Sequence, residues 1–269
     1  MDVRNVTGAY TTLVGDRGDL IRLTDSAAQA VTLSSALADE FAMSLENANT
    51  GAGVAQFVTL TPSTGTITCE GVTGLASLIL CRGDIVTVIF DGTSIWYVTY
   101  LQKGEIYSLN TSDFSFPYVS NDTLYPYLLA AGDTLTVLAA SRYAFETQIH
   151  LTHGNTTHTT AFGFAGTATF TDINYDSILW AGAGGQSIAT AQSTKNTIVS
   201  TITVLNATGG AGAVDINIKG TFAINAAGTI IPSIAWNADP TGTYLSKTGT
   251  YFRARKIGIN TEVSRGQWA

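Results

Sequence analysis

Charge, cysteine and lysine are all scarce in this chain of 269 residues, and each scarcity removes a class of protein. Only 12% of residues are charged, about half the share usual in soluble globular proteins. Bases are the rarer sign, 13 against 20 acids, for a net charge of −7. A nucleic-acid binder or an anionic-membrane binder needs a basic footprint, so neither reading fits. Two cysteines, Cys69 and Cys81, are too few for a disulfide scaffold or a four-cysteine zinc site. No apolar run reaches the roughly 18 residues of a membrane span, so no membrane insertion is expected. The start, Met1-Asp2-Val3-Arg4-Asn5, lacks the basic-then-apolar order of a secretory leader. A surface so poor in charge is hard to keep soluble as a monomer, which points to an oligomer or an assembly.

What fills the chain instead is threonine (41 residues against 5 lysines), glycine (27) and a hydrophobic share of 45%. Threonine and valine suit a pleated, half-buried surface, so the composition reads as all-β and ordered. Short strands recur every 8–12 positions with glycine turns between them, the rhythm of a sandwich or barrel. Tyr10–Val14, the Gly15–Asp19 turn and Leu20–Thr24 read as a hairpin. Ser34–Phe41, with a Ser cap and early acids, is the one stretch fit for a short helix. Gln-Lys-Gly-Glu at 102–105 interrupts the β pattern and sets a boundary. The expected organisation is a small N-terminal β domain at 1–104, followed by a jelly-roll-like antiparallel β-sandwich at 105–269. Within it Val214–Ile224 alternates apolar and polar residues, so one face is buried and one wet.

Catalytic and metal constellations do not emerge. His150 and His153 stand three apart on an expected strand and therefore point to opposite faces, so no chain-internal metal site with His158 is expected. Asp172 and Asp176 fit one strand face, yet a solvated strand end explains them better than a glycosidase pair. Gly182–Gln186 lacks the strand–helix context of a phosphate cradle. Two Arg-Gly-Asp triplets, Arg17–Asp19 and Arg82–Asp84, read as turn chemistry rather than adhesion signals. No catalytic residue, cofactor or metal is assigned, and the chain is not expected to be an enzyme. Cys69 and Cys81 flank short strands at Thr66–Glu70 and Ser77–Arg82, which would bring them close as a hairpin; both thiols are expected reduced and buried. Aromatics are the functional hint. The loops Gly154–Thr159, Gly182–Gln186 and Asp239–Tyr244 are flanked by Phe162, Trp180 and Trp236, candidate contact rings for a receptor sugar or a subunit interface, with buried core the commoner place for such aromatics.

Residues 9–100 resemble a domain recurring in tail fibres and related virion proteins of tailed bacteriophages. The likeness lies in Tyr10-Thr-Thr-Leu13, the turn into Leu20-Ile-Arg-Leu23, Val31-Thr-Leu33, Gly51-Ala-Gly53 and Asp91-Gly-Thr-Ser-Ile-Trp-Tyr97. Residues 145–269 resemble C-terminal sandwich domains of phage structural proteins, through His158-Thr-Thr-Ala161, Gly166-Thr-Ala-Thr-Phe170, Ile224–Ile230, Gly249-Thr-Tyr-Phe252 and Gly266-Gln-Trp268. The resemblance implies a non-enzymatic, trimeric virion component on the particle surface, made and assembled in the host cytoplasm. Its partners would be its own copies, other tail or capsid proteins, and a host-surface glycan or protein. A tail or head fibre (spike) used in host adsorption is the leading expectation. A capsid decoration (cement) protein is the alternative, and a carbohydrate-active depolymerase a distant third.

Overall fold

The structure, a computed structural model, describes residues 2–51, 56–70, 72–116, 118–128, 134–154, 156–181, 187–196, 202–203 and 212–260, leaving aside the side chains of 179–213. The chain divides into two compact units, Met1–Glu105 and Ile106–Glu262. The one complete helical element among the described residues is a 3-10 turn at Val14–Asp16; strands and loops make up nearly all the rest of those residues, an all-β protein.

The first unit holds β1 (Val3–Val6), β2 (Tyr10–Thr11), β3 (Leu20–Leu23), β4 (Gln29–Leu33), β5 (Ala42–Asn47), β6 (Val58–Pro62), β7 (Thr66–Cys69), β8 (Val72–Leu75), β9 (Leu78–Leu80), β10 (Ile85–Phe90) and β11 (Ile95–Gln102). Its opening is a coil rather than a hairpin. The first six strands alternate between a seven-stranded sheet, β1-β3-β5-β10-β11-β7-β8, and a four-stranded one, β2-β4-β6-β9. Pairing within each set is parallel, Val3 with Leu20 and Leu20 with Ser44 in one sheet, Tyr10 with Val31 and Gln29 with Val58 in the other. The expected hairpin fails because Tyr10–Thr11 and Leu20–Leu23 belong to different sheets. Both sheets face one core, with Ile21, Leu23, Val31, Leu33, Met43, Leu45, Val58, Leu60 and Trp96 all buried.

Loops that cross between sheets leave backbone groups unpaired, and buried amides meet that need. Gln29 donates to the carbonyls of Val6 and Gly8, Asn47 to those of Gln56 and Leu80, and Asn49 to that of Ala27. No helix forms at Ser34–Phe41. Ser34 and Asp39 side chains instead accept from the Ala36 and Glu40 amides, closing turns that carry Glu40 to φ 56°. Short side-chain acceptors compete with the helix at such positions. Cys69 and Cys81 are buried, but β7 and β9 lie in different sheets, so the expected hairpin between them is absent.

The second unit is an antiparallel sandwich. It comprises β12 (Glu105–Leu109), β13 (Phe114–Ser115), β14 (Tyr125–Pro126), β15 (Leu135–Val137), β16 (Ser141–His153), β17 (Thr160–Gly166), β18 (Thr169–Ala181), β19 (Ser187–Asn196), β20 (Ile202–Thr203), β21 (Gly212–Ala226), β22 (Gly228–Trp236), β23 (Leu245–Ser246) and β24 (Tyr251–Ile259). The larger sheet runs β12-β24-β16-β21-β18-β19, with β13 and β23 beside it; the smaller runs β14-β22-β17-β20, with β15 on β22. Strands β16 and β21 pair without a break from Ser141–Ile224 to His153–Gly212. Tyr143, Phe145, Ile149 and Leu151 face inward, as do Ile216, Ile218, Phe222 and Ile224. Gly220 sits opposite both Phe145 and Tyr175, and a Cβ there would come 2.5 Å from the Tyr175 Cβ. A small residue at that point makes room for the two neighbouring aromatic side chains.

Candidate functional site

The loops after β16 and β22 meet at one end of this sandwich. Gly154 donates to the Thr241 carbonyl (2.7 Å) and Thr156 to that of Pro240 (3.3 Å). Thr159 donates to Asn237 Oδ1 at 2.7 Å, and the Asn237 amide returns a bond to the Thr159 carbonyl at 3.3 Å. Two of the three loops expected at the binding end are therefore stitched together. The third, Gly182–Gln186, lies outside the described residues.

Beneath the stitched loops lies a stack of rings. Trp236 packs on Phe116 at 5.6 Å, Tyr125 at 5.6 Å and Tyr244 at 5.4 Å, and Tyr118 reaches Tyr125 and Tyr244 at 6.0 Å each. The cluster grades outward, with Phe116, Tyr125 and Trp236 buried and Tyr118 and Tyr244 half-buried. Tyr118 donates its hydroxyl to Asn121 Oδ1 and Tyr244 to Asp239 Oδ1. Partial burial pushes both phenols up, and for Tyr244 the bond to the Asp239 carboxylate adds to it. The Tyr125 hydroxyl accepts from the Val119 and Ser120 amides, fixing the turn that presents Tyr118. Asp113, Asn121, Asp122 and Asp239 stand exposed nearby in sequence. The result is a two-ring tyrosine platform with carboxamide and carboxylate partners, a surface able to stack on a pyranose and bond its hydroxyls.

The rings expected to contact a receptor are placed differently. Phe162 is 0% and Trp236 1% exposed, so neither can stack on an outside ligand; both are core. Phe162 packs on Phe145, Phe164 and Tyr175. Trp180 lies on β18 opposite Asp215, and its side chain is outside the described residues. Sequence reasoning missed Tyr118 and Tyr244, although Tyr244 closes one of the loops it named.

His150 and His153 fall on opposite faces of β16. His150 points outward to Asp215, while His153 and His158 are buried with ring centroids 4.6 Å apart, edge to face. No group of three or more His, Cys, Asp or Glu side chains placed to hold a metal occurs among the described residues. Asp172 is held by both guanidinium nitrogens of Arg142 at 2.9 and 3.1 Å. In the Arg-Gly-Asp triplets, Arg17 donates to the Glu40 carbonyl and Asp19 accepts the Asp2 amide. Asp84 is 3% exposed and accepts the Cys81 and Gly104 amides at 2.6 Å, so this second triplet is built into a turn.

No known protein family matches the chain, and no curated protein does. Among solved structures, Eiger TNF from S. frugiperda aligns at 12% identity over 60% of this chain and 96% of that one, with a TM-score of 0.26. Infectious bursal disease virus, Gx strain, aligns at 8% identity over 67% of this chain and 52% of that one, with a TM-score of 0.15. The VP2 subviral particle of the same virus gives 9% identity, 70% and 55% coverage and a TM-score of 0.16. Likenesses this weak place the chain in no family and assign it no function.

Proposed function

We propose that this chain is a non-enzymatic structural subunit of a tailed-phage particle, a homotrimeric tail or head fibre that takes part in host adsorption through the tyrosine platform of its second unit. The carrying observation is the outward grading of the aromatic cluster, from buried Trp236 to half-buried Tyr118 and Tyr244, on loops fixed by a rigid sandwich. Binding surfaces are commonly loops held this way, and tyrosine supplies flat contact area with a polar tip. The order of strand and turn motifs that resembles phage virion proteins supports the particle assignment.

The test is competition. Purified full-length chain incubated with host cells is expected to block adsorption of the parent phage. Tyr118→Ala/Tyr244→Ala, folded by circular dichroism, is expected to lose that block. Wild-type chain that never competes, together with label over the whole capsid shell, would favour the decoration reading instead.

A further inference from the structure

We propose that His153 and His158 form a proton-sensitive clasp: neutral, they hold Gly154, Thr156 and Thr159 bonded to Thr241, Pro240 and Asn237 over Trp236, and acid releases the loops that carry them. That the released loops belong to a host-contact surface rests on the function proposed above; the opening itself does not.

The tautomers follow from the partners. His153 Nδ1 lies 2.7 Å from the Gly154 carbonyl and His158 Nδ1 2.8 Å from that of Thr156. A carbonyl only accepts, so each Nδ1 carries the proton and each neutral ring leaves its lone pair on Nε2. Both Nε2 atoms are buried without a hydrogen-bond partner among the described residues. Protonating either one would create a buried N–H⁺ with no acceptor, beside a second ring that resists a like charge. Both imidazoles also meet the Trp236 ring, at 6.0 and 6.3 Å, and so belong to the floor under the stitched loops.

Among the described residues nothing nearby offsets that cost. On the packed loops Thr156, Thr159, Asn237, Pro240 and Thr241 carry no charge. Asp239 is engaged by the Tyr244 hydroxyl and the Thr241 amide, and Asp122 is exposed. Burial, and then the neighbouring His158, hold the His153 imidazole below its ordinary value of 6.5, against the Gly154 carbonyl, which favours the charged ring. The sign is therefore fixed. At His153 the open state binds a proton near 6.5 and the closed state only lower, so closure is fully stable above about 6.5 and weakens as pH falls below it.

Amide exchange on the full chain tests this between about pH 7.5 and 5. Protection of Gly154, Thr159 and Asn237 is expected to fall reversibly below about pH 6.5, by up to about tenfold per pH unit for each proton taken up on opening. Ile149 and Ile216, inside the long strands, are expected to hold their protection. His153→Asn/His158→Asn keeps a donor for each carbonyl and is expected to make loop protection independent of pH. If that double variant does not fold, His153→Asn alone is expected to lessen the slope. His150→Gln, on the opposite face of β16, is expected to leave the wild-type response intact. Flat loop protection in the wild type, an undiminished response in the variants, or one abolished by His150→Gln would each overturn the clasp.

Discussion

Asn47 shows how much of this protein depends on single buried side chains. It is 0% exposed; its amide donates to the Gln56 and Leu80 carbonyls at 2.9 Å each, and its oxygen accepts the Asn49 amide at 3.1 Å. One side chain thus ties the chain at Asn49 and Gln56 to the end of β9 at Leu80. Asn47→Ala strands those groups, each worth about 1–3 kcal/mol when buried and unmet. Allowing for partial relaxation, the expected loss is about 2–4 kcal/mol, read from the urea midpoint with an unchanged slope. A loss below about 1 kcal/mol would mean that the three groups find other partners. The same scale explains the misplaced rings. Trp236 ends a run, Ile230-Ile-Pro-Ser-Ile-Ala-Trp236, that does not alternate, and β22 is buried almost continuously from Pro232. A strand covered on both faces reads that way, and its aromatic belongs inside. The signal was present and outweighed by the neighbouring glycine- and threonine-rich loop.

At the scale of the element, the long central strands of the second unit were legible and the pairings of the first were not. The strand expected to carry His150 and His153 is Ser141–His153, and the alternation over Val214–Ile224 falls within Gly212–Ala226. Antiparallel neighbours with one wet face write their register into a period of two. Parallel pairs such as Leu20 with Ser44 join strands of four to six residues across intervening loops, and no local pattern records that. The wet face of the larger sheet also carries a cross-strand row of charge. Arg253 donates to Glu146 at 2.7 Å, Lys219 approaches it from the other side at 3.4 Å, and the Tyr251 hydroxyl donates at 2.9 Å. The Arg253 hydrogen bond, then that of Tyr251 and the two positive charges, hold the Glu146 carboxyl below 4.5 against the cost of burial. A lowered acid stabilises the fold above its unfolded value, and the benefit is lost as pH falls through the folded one. Glu146→Gln is expected to cost under about 1 kcal/mol at neutral pH, because the row is largely solvated. That cost should shrink in about 1 M salt and fade as pH falls below about 4.5 and through the lowered carboxyl value. A cost independent of both would assign Glu146 a packing role instead.

For the whole molecule, the distribution of charge bears on assembly. The outer face of the larger sheet in the second unit holds Arg142, Glu146, Asp172, Lys219 and Arg253, a face suited to water. The seven-stranded sheet of the first unit is different. Ile89 and Tyr97 are direct cross-strand partners on its outer side and stand 41% and 45% exposed, with Leu101 at 64% farther along β11. Exposed apolar side chains gathered on one strand pair are the kind of surface that copies of a chain cover. The proposed trimer therefore predicts a scattering mass about three times 28.2 kDa at micromolar concentration. It further predicts that Ile89→Lys/Tyr97→Lys lowers that mass while leaving the β-sheet circular dichroism in place. Both side chains already face outward, so charge there costs the isolated fold little, whereas a buried lysine at an interface must be desolvated without a partner. A wild-type monomer at that concentration would refute the trimer. A trimer indifferent to both lysines would move its interface to another face.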